Sequence, residues 1–205
     1  MRPPLTEQEL QRLETAVREA ERGTTAEIVV VVAGDPVGGA GWLPWSGLIA
    51  LALSLPLVVL RPELGAPLLY TLQLALVPLV LLMTLVPRLR CRLAPASDRR
   101  RAARRLARDQ FFELGLHRTS AHTAVLLFVS PRDRYVEVIA DAGVPGALPD
   151  EAWQPCVDAV RAEAREYRLA AGLERALERL GAVLRERLPG AGPDRNELPD
   201  RPVLL

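Results

Sequence analysis

Residues 26–33 read AEIVVVVA, with Val29, Val30, Val31 and Val32 in unbroken succession. A half-exposed strand alternates apolar and polar residues, so a β-branched run on both parities suits a strand covered on both faces. Such a strand needs sheet neighbours and helices above and below it. The segment before it supplies one helix only. Thr6 and Glu9 form a capping box, Leu5 and Leu10 occupy the staple positions, Leu10, Leu13, Val17 and Ala20 share one face, and Gly23 is a stop signal. The strand's partners must therefore come from further along the chain.

Beyond the linker at 35–41 the chain is not sheet material. Residues 42–60 form a charge-free run of 19 residues and residues 64–86 a second of 23, separated by Arg61, Pro62 and Glu63. At about 1.5 Å per residue each can cross a hydrocarbon core of about 30 Å. Two buried helices of this apolarity would need more covering chain than 205 residues provide. Pro44, Pro56, Pro67 and Pro78 are better tolerated in lipid, and Trp42 and Trp45 suit an interface. The expectation is a transmembrane helical hairpin over 42–87.

Orientation follows from the arginines. The chain has 26 basic residues, every one of them Arg, and a net charge of only +1, yet the distribution is lopsided. Arg88, Arg90, Arg92, Arg99, Arg100, Arg101, Arg104, Arg105 and Arg108 follow the second run, while the turn between the runs offers Arg61 alone, beside Glu63. The positive-inside rule places both termini in the cytoplasm of a cell whose inner (plasma) membrane the chain crosses twice. With no ionisable residue inside either run, a proton relay or voltage sensor is excluded, and Gln73 reads as a helix–helix hydrogen bond. The arginine cluster suits anionic lipid at the bilayer surface, and without interleaved aromatics it does not suit nucleic acid.

Because the hairpin returns the chain to its starting side, residues 1–34 can rejoin 88–188 in one domain, with 189–205 as a Pro- and Gly-rich tail running over the surface. Ser97 caps a helix to about Leu114, with Ala103, Leu106, Phe111 and Leu114 as core contacts and Gly115 as its stop. Residues 124–129 and 135–140 read as strands joined by a turn at 130–134. Helices come next at about 150–167 and 172–188, the second with Leu173, Leu177, Leu180 and Leu184 in register. Cys91 and Cys156 have no metal or redox spacing and read as reduced thiols; acylation of Cys91 is the alternative.

Signals for chemistry are sparse. Asp141 leaves a strand end before Gly143, and with Glu27 or Asp150 it could form a carboxylate pocket acceptable to calcium, although turn formation explains the same residue. His117 and His122, with Arg118, Thr119, Ser120 and Thr123, could hold a phosphate, or could simply be a polar turn entering a strand.

The stretches TAEIVVVVAG (25–34), FFELGLHRTSAHTAVLLFVSPRDRYVEVIADAGV (111–144), AGLERALERLGAVLRERLP (171–189) and NELPD (196–200) resemble the TPM domain family, in particular its bacterial membrane-anchored branch. The resemblance implies an α/β fold, a short mixed sheet sandwiched by helices and here interrupted by the two-helix transmembrane hairpin. It also implies either a weak phosphatase-like hydrolase, with or without calcium, or a non-catalytic accessory module of a membrane complex; for the hydrolase, the residues themselves offer Asp141 and His122 as candidate catalytic residues and Glu27, Asp141 and Asp150 as candidate calcium ligands. The sequence departs from the family pattern: an early acidic motif is absent, and His122 and Ala124 stand where Asp and Gly are common. The favoured expectation is the interaction module, with a membrane-protein partner and no cofactor.

Overall fold

A computed structural model describes residues 5–34, 52, 71, 74–75, 78, 95–144, 150–165, 168–190 and 196–205. The chain divides into two compact units, Met1–Asp35 with Ala103–Leu205, and Pro36–Ala102. In the second, Ala52, Thr71, Leu74, Ala75 and Pro78 are helical and exposed, and the rest of the expected hairpin lies outside the described residues. No helix among the described residues is long and apolar enough to cross a membrane.

The first unit begins with α1, Glu7–Glu21, and its cap is the one the sequence specifies. Glu9 N–H donates to the Thr6 hydroxyl, and Thr6 N–H donates to the Glu9 carboxylate at 2.7 Å. The backbone N–H of Thr6, then its hydroxyl, hold the Glu9 carboxyl below its ordinary value. A depressed carboxyl contributes stability above the ordinary carboxylate range and loses it as pH falls through the lowered value. Glu9→Gln should therefore be measurably less stable than the parent at neutral pH in urea titrations, with the difference vanishing in acid; Thr6→Ala should cost about 1 kcal/mol. Leu5, Leu10, Leu13, Val17 and Ala20 are all buried, and Gly23 takes φ +77°.

β1, Glu27–Val32, is buried at every position, as its valines require. It pairs in parallel with β2, Ala124–Ser130, from Glu27 opposite Ala124 to Val32 opposite Val129. β2 turns at Pro131–Arg134 into β3, Tyr135–Ala140, which runs antiparallel to it. The described strands form one sheet of order β3-β2-β1-β4, where β4 is Val203–Leu204.

That last strand corrects the expectation that 189–205 merely crosses the surface. Asp200 and Pro202 are buried, and the chain pairs in parallel with Val31 and Val32. Two residues carry no strand periodicity of their own; the edge of β1 makes them a strand.

Helices cover both faces. α1, α3 (Asp150–Arg165) and α4 (Leu169–Arg187) pack on Ile28, Val30, Val32, Val125, Leu127 and Val129. Leu173, Leu177, Leu180 and Leu184 are fully buried there. Helix α4 starts before Gly172, which serves as a crossing point: a Cβ on it would lie 3.0 Å from the Glu163 Cβ. Glu163, itself buried, is held by Arg168 at 3.0 Å and by Arg175. Cys156, on α3, is buried, and desolvation pushes its thiol up to about 11.

The alternate residues Val29, Val31, Leu126 and Phe128 are buried on the other face. There α2, Ala96–Glu113, buries Ala103, Ala107, Gln110 and Phe111, and its Arg104 reaches Glu137 of β3 at 3.5 Å. Leu106 and Leu114 are only half-buried, so the core stripe runs through Ala107 instead. Ser97 lies within the helix, not at its cap: the Pro95 carbonyl accepts the Asp98 and Arg99 N–H groups and starts the turn. Gly115 takes φ +73° and leads into an unanticipated 3-10 turn, Leu116–Arg118.

Candidate functional site

The antiparallel return of β3 determines where Asp141 goes. Its backbone N–H donates to the Ala124 carbonyl at 2.9 Å, so it lies at the amino-terminal ends of the parallel pair β1 and β2. Ligand crevices of parallel sheets form beyond the carboxyl ends of the strands. Asp141 does leave a strand end, as expected, but that strand is antiparallel, so the residue stands at the opposite end of the sheet from such a crevice.

At this end His122, in the left-handed region at φ +54°, turns its imidazole Nδ1 to within 3.2 Å of Asp141 Oδ2. The second oxygen, Oδ1, accepts from Ala142 N–H at 2.8 Å. His122 is well exposed at 59%, whereas Asp141 is largely covered at 12%. A carboxylate so placed holds the Nδ1–H tautomer and leaves Nε2 open to solvent as an acceptor. The two residues singled out as catalytic candidates thus do meet.

Their neighbours are already engaged. The Ser120 hydroxyl donates to Glu197 Oε1 at 2.5 Å and its backbone N–H to Oε2 at 2.9 Å. Thr123 donates to the Thr25 carbonyl at 2.7 Å. Glu27 Oε2 accepts the Leu198 N–H at 3.3 Å, and Glu27 is separated from Asp141 by the whole width of β2. At about 4.8 Å per strand step their Cα atoms stand about 10 Å apart. Asp150 begins α3, and its side chain lies outside the described residues. Among the described residues, no group of three or more His, Cys, Asp and Glu is arranged to hold a metal.

His117 belongs elsewhere: its ring centroid lies 5.4 Å from that of Phe112, and its Nε2 accepts from Arg118 Nε at 3.3 Å. Sequence reasoning missed Glu197 as a partner of this loop. The only available signal was NELPD, which carried a resemblance and no stated contact. A concavity of about 600 Å³ between α1 and α4 is lined by Arg12, Arg22 and Arg185 against Glu19, Glu174 and Glu178. Arg22 pairs with Glu19 at 2.8 Å, and Arg185 donates to the Glu19 and Ala20 carbonyls near the end of α1.

Residues 84–183 match the TPM domain family. The matched span leaves out α1 and β1, although β1 is the strand on which both β2 and β4 pair. The chain is also similar in fold to the NMR structure of the BA42 protein from the psychrophilic bacterium Bizionia argentinensis. The TM-score is 0.59 at 18% identity, covering 98% of this chain and 95% of that one. No curated protein sequence matches. The TPM-like domain is thus an α/β fold with a small mixed sheet, as the resemblance implied.

Proposed function

We propose that the chain is an integral membrane protein, crossing the bilayer at 42–60 and 64–86 with both termini in the cytoplasm, whose TPM-like domain is a non-catalytic interaction module of a membrane complex. The observation that carries the reading is the pairing of β1 with β2. The two charge-free runs lie between these strands in sequence, and hydrogen-bonded neighbours occupy one side of a bilayer. Any crossing in that interval must then occur an even number of times, which two runs satisfy. Leu74, helical and 77% exposed, suits a lipid-facing surface.

A non-catalytic role is favoured by the site. Among the described residues of this loop, the Ser120 hydroxyl is tied to Glu197 and that of Thr123 to the Thr25 carbonyl, which leaves neither free to serve the imidazole as a nucleophile. The test has two arms. The full chain should resist alkaline extraction from membranes, and cysteines introduced near either terminus should label only in inverted vesicles. Purified protein should hydrolyse p-nitrophenyl phosphate no faster than its Asp141→Asn and His122→Ala variants, with or without calcium. Labelling from outside the cell would overturn the topology. Hydrolysis abolished by Asp141→Asn in a folded protein would establish the phosphatase-like reading instead.

A further inference from the structure

One face of α2 turns away from the sheet, its Phe112 touching only the Phe111 and His117 rings among the described aromatic contacts. The buried line of α2 runs through Ala103, Ala107, Gln110 and Phe111, and at about 100° per residue Arg105 and Phe112 fall on the opposite side, with Arg108 between them and the flank where it and Arg104 stand near Tyr135. Phe112 is 62% exposed, the largest exposure of any described aromatic, and its edge-on contact with Phe111 leaves the ring outside the core. Arg104, on the flank, is committed to Glu137, and the Glu113 carboxylate to Gln110. Among the described residues no carboxylate stands within ion-pair distance of Arg105 or Arg108, although Asp109, four residues after Arg105, lies beside it on the helix.

Two unpaired guanidiniums beside a projecting phenyl ring match a surface with phosphates outside and hydrocarbon just beneath. The chain's own layout favours a bilayer as that surface. This step rests on the membrane reading above: the second charge-free run ends at Val86 and α2 begins at Ala96, so the connecting residues 87–95 reach at most about 30 Å. The domain is thereby held where headgroups are concentrated. A lone exposed aromatic offers no stacking platform for nucleic acid.

We propose that the Arg105–Arg108–Phe112 face of α2 docks on anionic phospholipid, the guanidiniums on headgroup phosphates and Phe112 in the acyl boundary, so that the TPM-like domain is fixed against the bilayer and does not swing on its linker. The full chain is reconstituted in vesicles of phosphatidylcholine, with or without phosphatidylglycerol. An environment-sensitive fluorophore is attached to Phe112→Cys or, as a control across the sheet, to Glu178→Cys on α4, both in a Cys91→Ser, Cys156→Ala background.

The label replacing Phe112 should shift to the blue when phosphatidylglycerol is present. Added salt or the pair Arg105→Glu and Arg108→Glu should abolish the shift, and the α4 label should not respond. Equal emission in both vesicle types, or an equal shift at the α4 site, overturns the proposal, as does a shift of the same size produced by RNA or an acidic polypeptide on neutral vesicles. Alkaline extraction of the chain would sink the transmembrane reading separately. A lipid-dependent, arginine-dependent shift in chain so extracted would leave the docking face standing.

Discussion

Deleting residues 196–205 is expected to destabilise the TPM-like domain by about 3 kcal/mol, taking about 1 kcal/mol for each net hydrogen bond to β1 and its exit. Three bonds account for it: Leu198 N–H binds Glu27, and Leu205 exchanges two backbone bonds with Val32 and Gly34. The exposed contacts of Glu197 with Ser120 and of Arg18 with the buried Asp200 come in addition. The exposed Arg201–Glu7 pair, by contrast, should contribute about 0.5 kcal/mol or less. Urea denaturation of the deletion should show a large fall in midpoint, while Arg201→Ala barely moves it. Loss of β4 also bares part of the edge of β1, so the deletion should self-associate as it unfolds. An unchanged midpoint would return the segment to the status of a surface tail.

The second large effect is expected at Gly143. A Cβ there would lie 2.3 Å from the Ala121 carbonyl oxygen and 2.7 Å from that of His122, a contact with rigid backbone that no side-chain rotation relieves. Gly143→Ala must therefore part the two loops and break the 2.8 Å bond from Gly143 N–H to the His122 carbonyl. Overpacking at about 2 kcal/mol and one lost hydrogen bond at about 1 kcal/mol suggest about 3 kcal/mol in all. The His122 Nδ1–H proton resonance, held by Asp141, should broaden or vanish. Gly115→Ala makes the contrasting control, since only its positive φ opposes a side chain and the nearest atom a Cβ would meet is the Arg118 Cδ at 4.0 Å; about 1 kcal/mol is expected. If the two variants lose equal stability, steric exclusion between the loops is not what Gly143 provides.

Local sequence patterns reach some of these features and not others. The Thr6–Glu9 cap is legible because both partners lie within one helical turn, and the α4 leucines are legible because their spacing repeats the helix period. The pairing of His122 with Asp141 was not: the residues stand far apart in sequence, and only the antiparallel register of β2 and β3 brings their loops together. Gly143 gave a turn signal, but the carbonyls that exclude its side chain belong to another loop. Ser97 misled because a good capping residue was outcompeted by the Pro95 carbonyl just before it.

By itself the sequence determined the apolar strand 26–33, the amphipathic helices and the two charge-free runs, since each depends on periodicity or composition within one continuous stretch. Tertiary structure alone decided that 203–204 is a strand, that Asp141 lies at the amino ends of the parallel pair, and that Ser120 and Glu27 are already bound by the tail. The reason is physical: a β ladder and a buried carboxylate take their partners from distant chain, and the information for that pairing resides in register, which no local pattern carries.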